Sequence, residues 1–180
     1  MVYLKNGLDA NPDPETALPR GSGPDAHWIL QFKAFPAADL RPDLARRGVR
    51  VLEYVPDSAL MVSFRQSPGR QSPNLRGLGI TWTGQLTAPD RTAPGLEKAK
   101  AFLVVFHSDV PRADAQRLLE GFQVLGAGLL PNHFLVAADH GQLPQLAAHD
   151  EVSYIVPIGI LPGGMKIAKR QRPYVSGTQH

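Results

Sequence analysis

Residues 27–32 read HWILQF, and residues 101–106 read AFLVVF. In the first stretch Trp28, Leu30 and Phe32 alternate with Ile29 and Gln31. In the second, Phe102, Val104 and Phe106 alternate with Leu103 and Val105. Successive side chains on a strand point to opposite faces, so each stretch reads as a strand with one bulky apolar face. Each also opens a segment of about sixty residues that carries the same signals in the same order, 27–86 and then 101–161.

In the first segment a short helix is expected over 37–47, with Asp39 as cap, Pro42 in the first turn and Leu40 and Leu44 one turn apart. Gly48 ends it. Val49–Val55 and Leu60–Phe64 read as strands joined by the turn Pro56-Asp57-Ser58. A loop over Gln66–Pro73, a short helix over Asn74–Leu78 and a strand over Ile80–Leu86 complete the segment. The second segment returns Leu44 as Leu118, the turn Pro56-Asp57 as Pro131-Asn132 and Trp82 as Tyr154. Its first helix has Asp109 as cap, Pro111 in the first turn and Ala115, Leu118, Leu119 and Phe122 at helical spacing. A second helix is expected near Leu143–His149. The order β-α-β-β-α-β predicts an α+β chain of two tandem ferredoxin-like units, each a four-stranded antiparallel sheet with both helices on one face. Residues 1–26 read as a flexible leader, 87–100 as a Pro-containing linker and 162–180 as a basic flexible tail.

The sheet face away from the helices is expected to differ between the copies. In copy one it should show Gln31, Lys33, Ser63, Arg65, Thr81 and Thr83, diluted by Ile29 and Met61. In copy two it should show Leu103, Val105 and Ile155. A strand apolar on both sides is buried on both sides, so copy two is expected to pack its outer face on copy one or on another domain.

Composition narrows the function classes. The sequence is 43% hydrophobic and 19% charged, which is globular, and it has no Cys for a disulfide or thiolate site. No run of eighteen apolar residues exists, so no membrane span is expected. The first twenty residues hold no apolar core of signal-peptide type, so an export signal is expected elsewhere or absent. The net charge of +3 lies in the tail. Residues 1–160 carry 15 basic and 16 acidic residues, while the last twenty carry Lys166, Lys169, Arg170 and Arg172 with no acid. A near-neutral body argues against nucleic acid as a partner. An RNA-recognition unit has the same element order but stacks bases on aromatics of its central strands. Here the third strands read LMVSF and FLVAA, which lack that platform.

Neither a catalytic nor a metal-binding motif stands out among the six His. His140 and His149, beside Asp139 and Asp150, read as surface residues, and His107 as the outward or final residue of its strand. No cofactor is expected. A tandem ligand-sensing pair remains open, with nothing to mark its ligand.

The pattern HWILQF, Leu44 to Gly48, RVLEYVPDSALMVSF and LRGLGITWTG, echoed by DAQRLLEGFQV, LPNHFLVAAD and LAAHDEVSYIVP, resembles the N-terminal prodomain-like regions of bacterial subtilisin-family serine peptidases. These are propeptide-inhibitor units with a ferredoxin-like fold. Copy two departs from the pattern at Phe122, where the helix-ending Gly is expected. The resemblance implies a non-catalytic, secreted (extracellular or periplasmic) module whose partner is a peptidase catalytic domain, in cis or in trans. Such units pack a sheet face on the enzyme and lay their C-terminal segment along the cleft, assisting folding and inhibiting. Carried over, Ile29, Met61 and Thr81, or Leu103, Val105 and Ile155, become contact candidates. Within the segment Ile158–Met165, Ile158, Ile160 and Leu161 become cleft candidates, acting by strand addition. The alternative is a free-standing ligand-binding or interaction module.

Overall fold

The computed structural model describes residues 25–34, 39–65, 73–161 and 164–166, with side chains as far as Gly159. The expected leader lies outside these residues except for its last two positions, as do the expected loop except for Pro73 and the tail over 162–180 except for the backbone of 164–166. The described residues are α+β, with two four-stranded antiparallel sheets and three short helices. The first sheet holds β1 (Asp25–Phe32), β2 (Val49–Val55), β3 (Ala59–Arg65) and β4 (Ile80–Gly84) in the order β2-β3-β1-β4. The second holds β5 (Ala101–Phe106), β6 (Gln123–Ala127), β7 (His133–Ala137) and β8 (Val152–Pro157) in the order β6-β7-β5-β8. Helix α1 (Leu40–Arg46) serves the first sheet; α2 (Arg112–Leu118) and α3 (Leu143–Ala147) serve the second. A ribbon of β9 (Gly159–Leu161) and β10 (Gly164–Lys166) follows.

Alternation builds each core as expected. Trp28, Leu30 and Phe32 of β1 meet Leu60, Val62 and Phe64 of β3, with Leu40 and Leu44 of α1 closing the layer. Phe102, Val104 and Phe106 meet Phe134 and Val136, closed by Ala115, Leu119, Leu143 and Leu146. The segment expected as a helix over 74–78 is instead an irregular turn, in which only Leu75 is fully buried. Gly77 and Gly79 both take positive φ there, which breaks helical geometry.

The duplication extends to irregularities invisible in the sequence. Gln31 faces Trp82 but Phe32 faces Ile80, so Thr81 is an extra residue in β4. Val105 faces Tyr154 but Phe106 faces Val152, so Ser153 is the same extra residue in β8. Likewise Val51 and Glu53 face Val62 and Met61, leaving Leu52 over. Val124 and Gly126 face Val136 and Leu135, leaving Leu125 over. Main-chain bonds repeat too: Phe32 N–H donates to Ser58 and Phe106 N–H to Asn132. That makes Asn132 the counterpart of Ser58, one residue away from the sequence alignment of the two turns.

A bulge moves every later side chain to the other face. This corrects the expected outer faces. Thr81 is exposed at its bulge, Thr83 turns into the core and Trp82 turns outward, where it is 7% exposed over Ile29, Ala59 and Met61. Ile155 faces Val104 inside the second core, and its neighbours Tyr154 and Val156 face outward instead. The outer face of the first sheet is therefore apolar at its centre, contrary to the polar face expected.

Gly84 is where the Trp82 indole lies. A Cβ there would fall 2.3 Å from the ring. Gly84→Ala is expected to cost about 1–3 kcal/mol by overpacking and to shift the tryptophan emission, as read by chemical denaturation followed by fluorescence. An unchanged spectrum and midpoint would contradict this placement of the ring.

Candidate functional site

The expected linker is not slack. Ile155 N–H donates to Arg91 O at 2.7 Å, and Ala93 N–H donates to Ile155 O at 2.9 Å, so residues 91–93 run as a parallel edge beside β8. This fixes Arg91, buried at 4% exposure, beneath the α3–β8 loop.

Arg91 begins a buried polar chain that joins the two sheets. Its Nη1 donates to Ala147 O at 3.0 Å and its Nη2 to Asp150 Oδ1 at 2.9 Å. Asp150 Oδ2 accepts from His27 twice, from the main-chain N–H at 2.8 Å and from Nδ1 at 2.9 Å. His27 Nε2 donates to Asp109 Oδ1 at 3.1 Å, and Ser63 Oγ donates to the other oxygen of Asp109. His27 and Ser63 belong to the outer face of the first sheet; Asp109 and Asp150 belong to the loops before α2 and β8. The His107 ring stacks on His27 with centroids 4.1 Å apart and planes 13° from parallel.

Two carboxylates each accepting from one ring nitrogen make His27 an imidazolium. Burial pulls its pKa down, but the hydrogen bonds and charges of Asp109 and Asp150 outweigh this and raise it to about 9. Burial, then the His27 charge, push His107 to about 3, so the stack joins a charged ring to a neutral one. Burial would raise Asp109, yet the bonds from His27 and Ser63 take it down to about 2. Asp150 is lowered in the same manner: burial opposes, and the bond from His27 prevails. Two cations and two anions are thus buried in mutual contact, the condition for tolerating buried charge.

The arrangement has a Ser, a His and two Asp but not the wiring of a nucleophile. Ser63 gives its proton to a carboxylate, and His27 has neither nitrogen free to act as base. Among the described residues, no group of three or more potential ligands could hold a metal ion. A cleft of about 220 Å³ opens beside the network, lined by His27, Asp109, Pro111, Leu118 and Glu151 among others.

Sequence reasoning missed this network. Asp109 was expected to cap α2; the N-cap is Pro111, and the Asp109 carboxylate crosses to the other sheet. His107, read as the outward or final residue of its strand, lies one position past β5 and is 3% exposed. Asp150 was noted only as a neighbour of His149 and is buried, at 8% exposure. The helix-ending glycine missed at Phe122 is present one residue earlier, as Gly121 with φ +91°.

Neither of the two alternative sets of contact candidates stays together on one outer face. Ile29 and Met61 are buried under Trp82 on the first sheet, and Thr81 is apart from them at the bulge. On the second sheet Leu103 packs with Ala101 and Ile158, and Val105 is half-buried beside Leu135. Ile155 is in the core. Ile158 N–H donates to Ala101 O at 2.8 Å, which carries the β5–β8 pairing one residue further. Ile160 and Leu161 lie in β9, and their side chains are outside those described.

Comparison with known families adds one finding. A domain family of unknown function, DUF8729, matches residues 4–87. The DUF8729 match takes in all four strands of the first sheet and stops short of the second. No curated protein and no solved structure matches the chain.

Proposed function

We propose that this chain is a non-catalytic, propeptide-like module that packs on a peptidase catalytic domain through the outer face of its second sheet. Each unit is ferredoxin-like in this reading. A crossover from first to second strand leaves a slot that the third fills, and strands one and three are central in both sheets. The observation that carries the proposal is the contrast between the two outer faces. The first is occupied, by Trp82 over its centre and by the His27 network at its end. The second carries Val105, Leu135, Tyr154 and Val156 only half-buried, next to Ile158 and the chain that leaves it. An apolar sheet face of this kind packs against another surface. The buried charges link the two units, and a linked pair has less to order on docking.

The full chain, added to a subtilisin-type peptidase encoded with it, is expected to inhibit the enzyme or speed its refolding. Val105→Asp is expected to weaken that effect by at least about tenfold, since an unpaired charge would be buried in the contact. Absence of both inhibition and assisted refolding with the unmodified chain would sink the reading.

A further inference from the structure

The two units keep separate cores. Among the described residues, two of the apolar clusters end at or before Leu86 and the other two begin at or after Ala88, so no cluster draws side chains from both units. The chain passes between them at Leu86–Thr87. Leu86 packs with Trp82 on the first sheet, while the N–H groups of Asp90 and Arg91 donate back to Thr87 O in a turn that leads into the edge beside β8. Bodies with closed cores and a short crossing segment are the setting in which hinges occur. The charged network spans this join, and its two arms at His27 are unlike.

On one arm, Asp150 takes two bonds from His27, from the main-chain N–H at 2.8 Å and from Nδ1 at 2.9 Å, and a third from Arg91. On the other, Asp109 takes the Nε2 bond at 3.1 Å and a bond from Ser63, with the largely exposed Arg50 of β2 at 4.0 Å. A neutral imidazole has a single N–H for these two acceptors. Tied to Asp150 by the main chain as well, the ring keeps its Nδ1 proton and gives up the one on Nε2. A lone pair then faces the Asp109 carboxylate, and a bond becomes a repulsion. Neighbouring groups do not replace the lost proton: His107, stacked on the ring, is already neutral, and Arg91 is bonded to Asp150 rather than Asp109. The cleft of about 220 Å³ lies on this same arm. Its other charges are Asp25, paired with Arg65, Asp114, paired with Arg117, and Glu151, whose charge adds to the repulsion. Water entering the cleft would solvate an Asp109 carboxylate that has lost its cation.

We propose that the Nε2 proton of His27 is a latch: while it is present the Asp109 loop is held on the first sheet, and its loss lets that loop swing out about the Asp150 contact, widening the cleft with both cores intact. The motion involves neither the outer face of the second sheet nor a peptidase, so this reading and the docking reading fail separately.

Spin-label distances in the full chain test it. The chain has no Cys, so paired cysteine substitutions take labels at chosen sites only. Arg46→Cys on α1 with Glu120→Cys beyond α2 spans the join, whereas Arg46→Cys with Glu53→Cys on β2 stays within the first unit. Measurements at pH 7 and pH 10 bracket the His27 value of about 9. The spanning pair is expected to shift to longer separation at pH 10, and the within-unit pair to keep its separation. The midpoint of the shift is expected to coincide with the titration of the His27 ring followed by NMR. Asp109→Asn is expected to hold the pH 7 separation at pH 10, because a carboxamide can donate to the Nε2 lone pair. A spanning distance equal at both pH values overturns the proposal, as does a shift shared by the within-unit pair or one whose midpoint departs from the His27 titration. So does an Asp109→Asn chain that opens as wild type does. Should Asn at 109 impair folding, the two label pairs and the ring titration decide without it.

Discussion

Asp150→Ala is expected to destabilise the chain by about 3–5 kcal/mol, the range for removing one partner of a buried ion pair. Asp150 accepts two bonds from His27 and one from Arg91, and it belongs to the loop that sits against the first sheet. Alanine would leave the Arg91 guanidinium and the His27 imidazolium buried with only Asp109 to balance them. The free energy lost is chiefly that of stranding the cations rather than the net worth of the ion pair. Asp150→Asn keeps an acceptor oxygen but loses the charge, so an intermediate loss is expected. Asp43→Ala is the matched control. Asp43 pairs with Arg46, which is 76% exposed, and such surface pairs contribute about 0–1 kcal/mol. Urea unfolding of the three variants measures the series. Equal midpoints for Asp150→Ala and Asp43→Ala would show that the network does not hold the two units together.

What could be read in advance follows from how far each signal reaches along the chain. The alternation of Trp28, Leu30 and Phe32, and of Phe102, Val104 and Phe106, is local, and it correctly placed both core faces. The helix signals around Leu44 and Leu118 are equally local. The bulges at Thr81 and Ser153 are not, because an extra residue is defined only against the partner strand. Faces assigned by alternation therefore failed beyond them, at Thr83 and Ile155. The charged network was hidden for a related reason. His27 bonds to residues 82 and 123 positions away, and nothing near His27 marks it as paired. Asp109 even carried a misleading local signal, since an Asp shortly before a Pro and a helical run resembles a cap. One cue did exist: His27 shares a strand face with Ile29, and a polar residue on such a face needs a partner once the face is covered.

Stability is expected to peak near pH 6.5 and to fall on both sides, with a different histidine responsible for each limb. His27 is raised from 6.5 to about 9 on folding. Between those values the folded chain holds a proton that the unfolded chain has released, so its contribution is complete below pH 6.5 and is lost as pH rises through about 9. His107 is lowered from 6.5 to about 3. Between those values the unfolded chain holds the extra proton, so this contribution is complete above pH 6.5 and is lost as pH falls. Each group gives a slope of about 1.4 kcal/mol per pH unit within its window. Below the ordinary carboxylate range, Asp109 and Asp150 deepen the acid limb, because their ionised forms are the ones held in the fold. The groups facing the stacked rings are Asp109, Asp150 and Arg91, and Arg91 stays charged across this range, so it shifts the histidines without adding a limb. His107→Phe separates the two effects. Phenylalanine keeps a flat ring against His27 and removes Nε2, a buried nitrogen without a partner among the described residues. The variant is expected to lose the slope between pH 4 and 6.5, to be more stable than wild type at pH 5 and to keep the alkaline limb unchanged. Urea midpoints measured across pH 4 to 9.5 for both chains decide the matter. A wild-type profile flat from pH 6.5 to 9, or an acid limb that persists in His107→Phe, would mean that the proton is not held between the two sheets as this geometry requires.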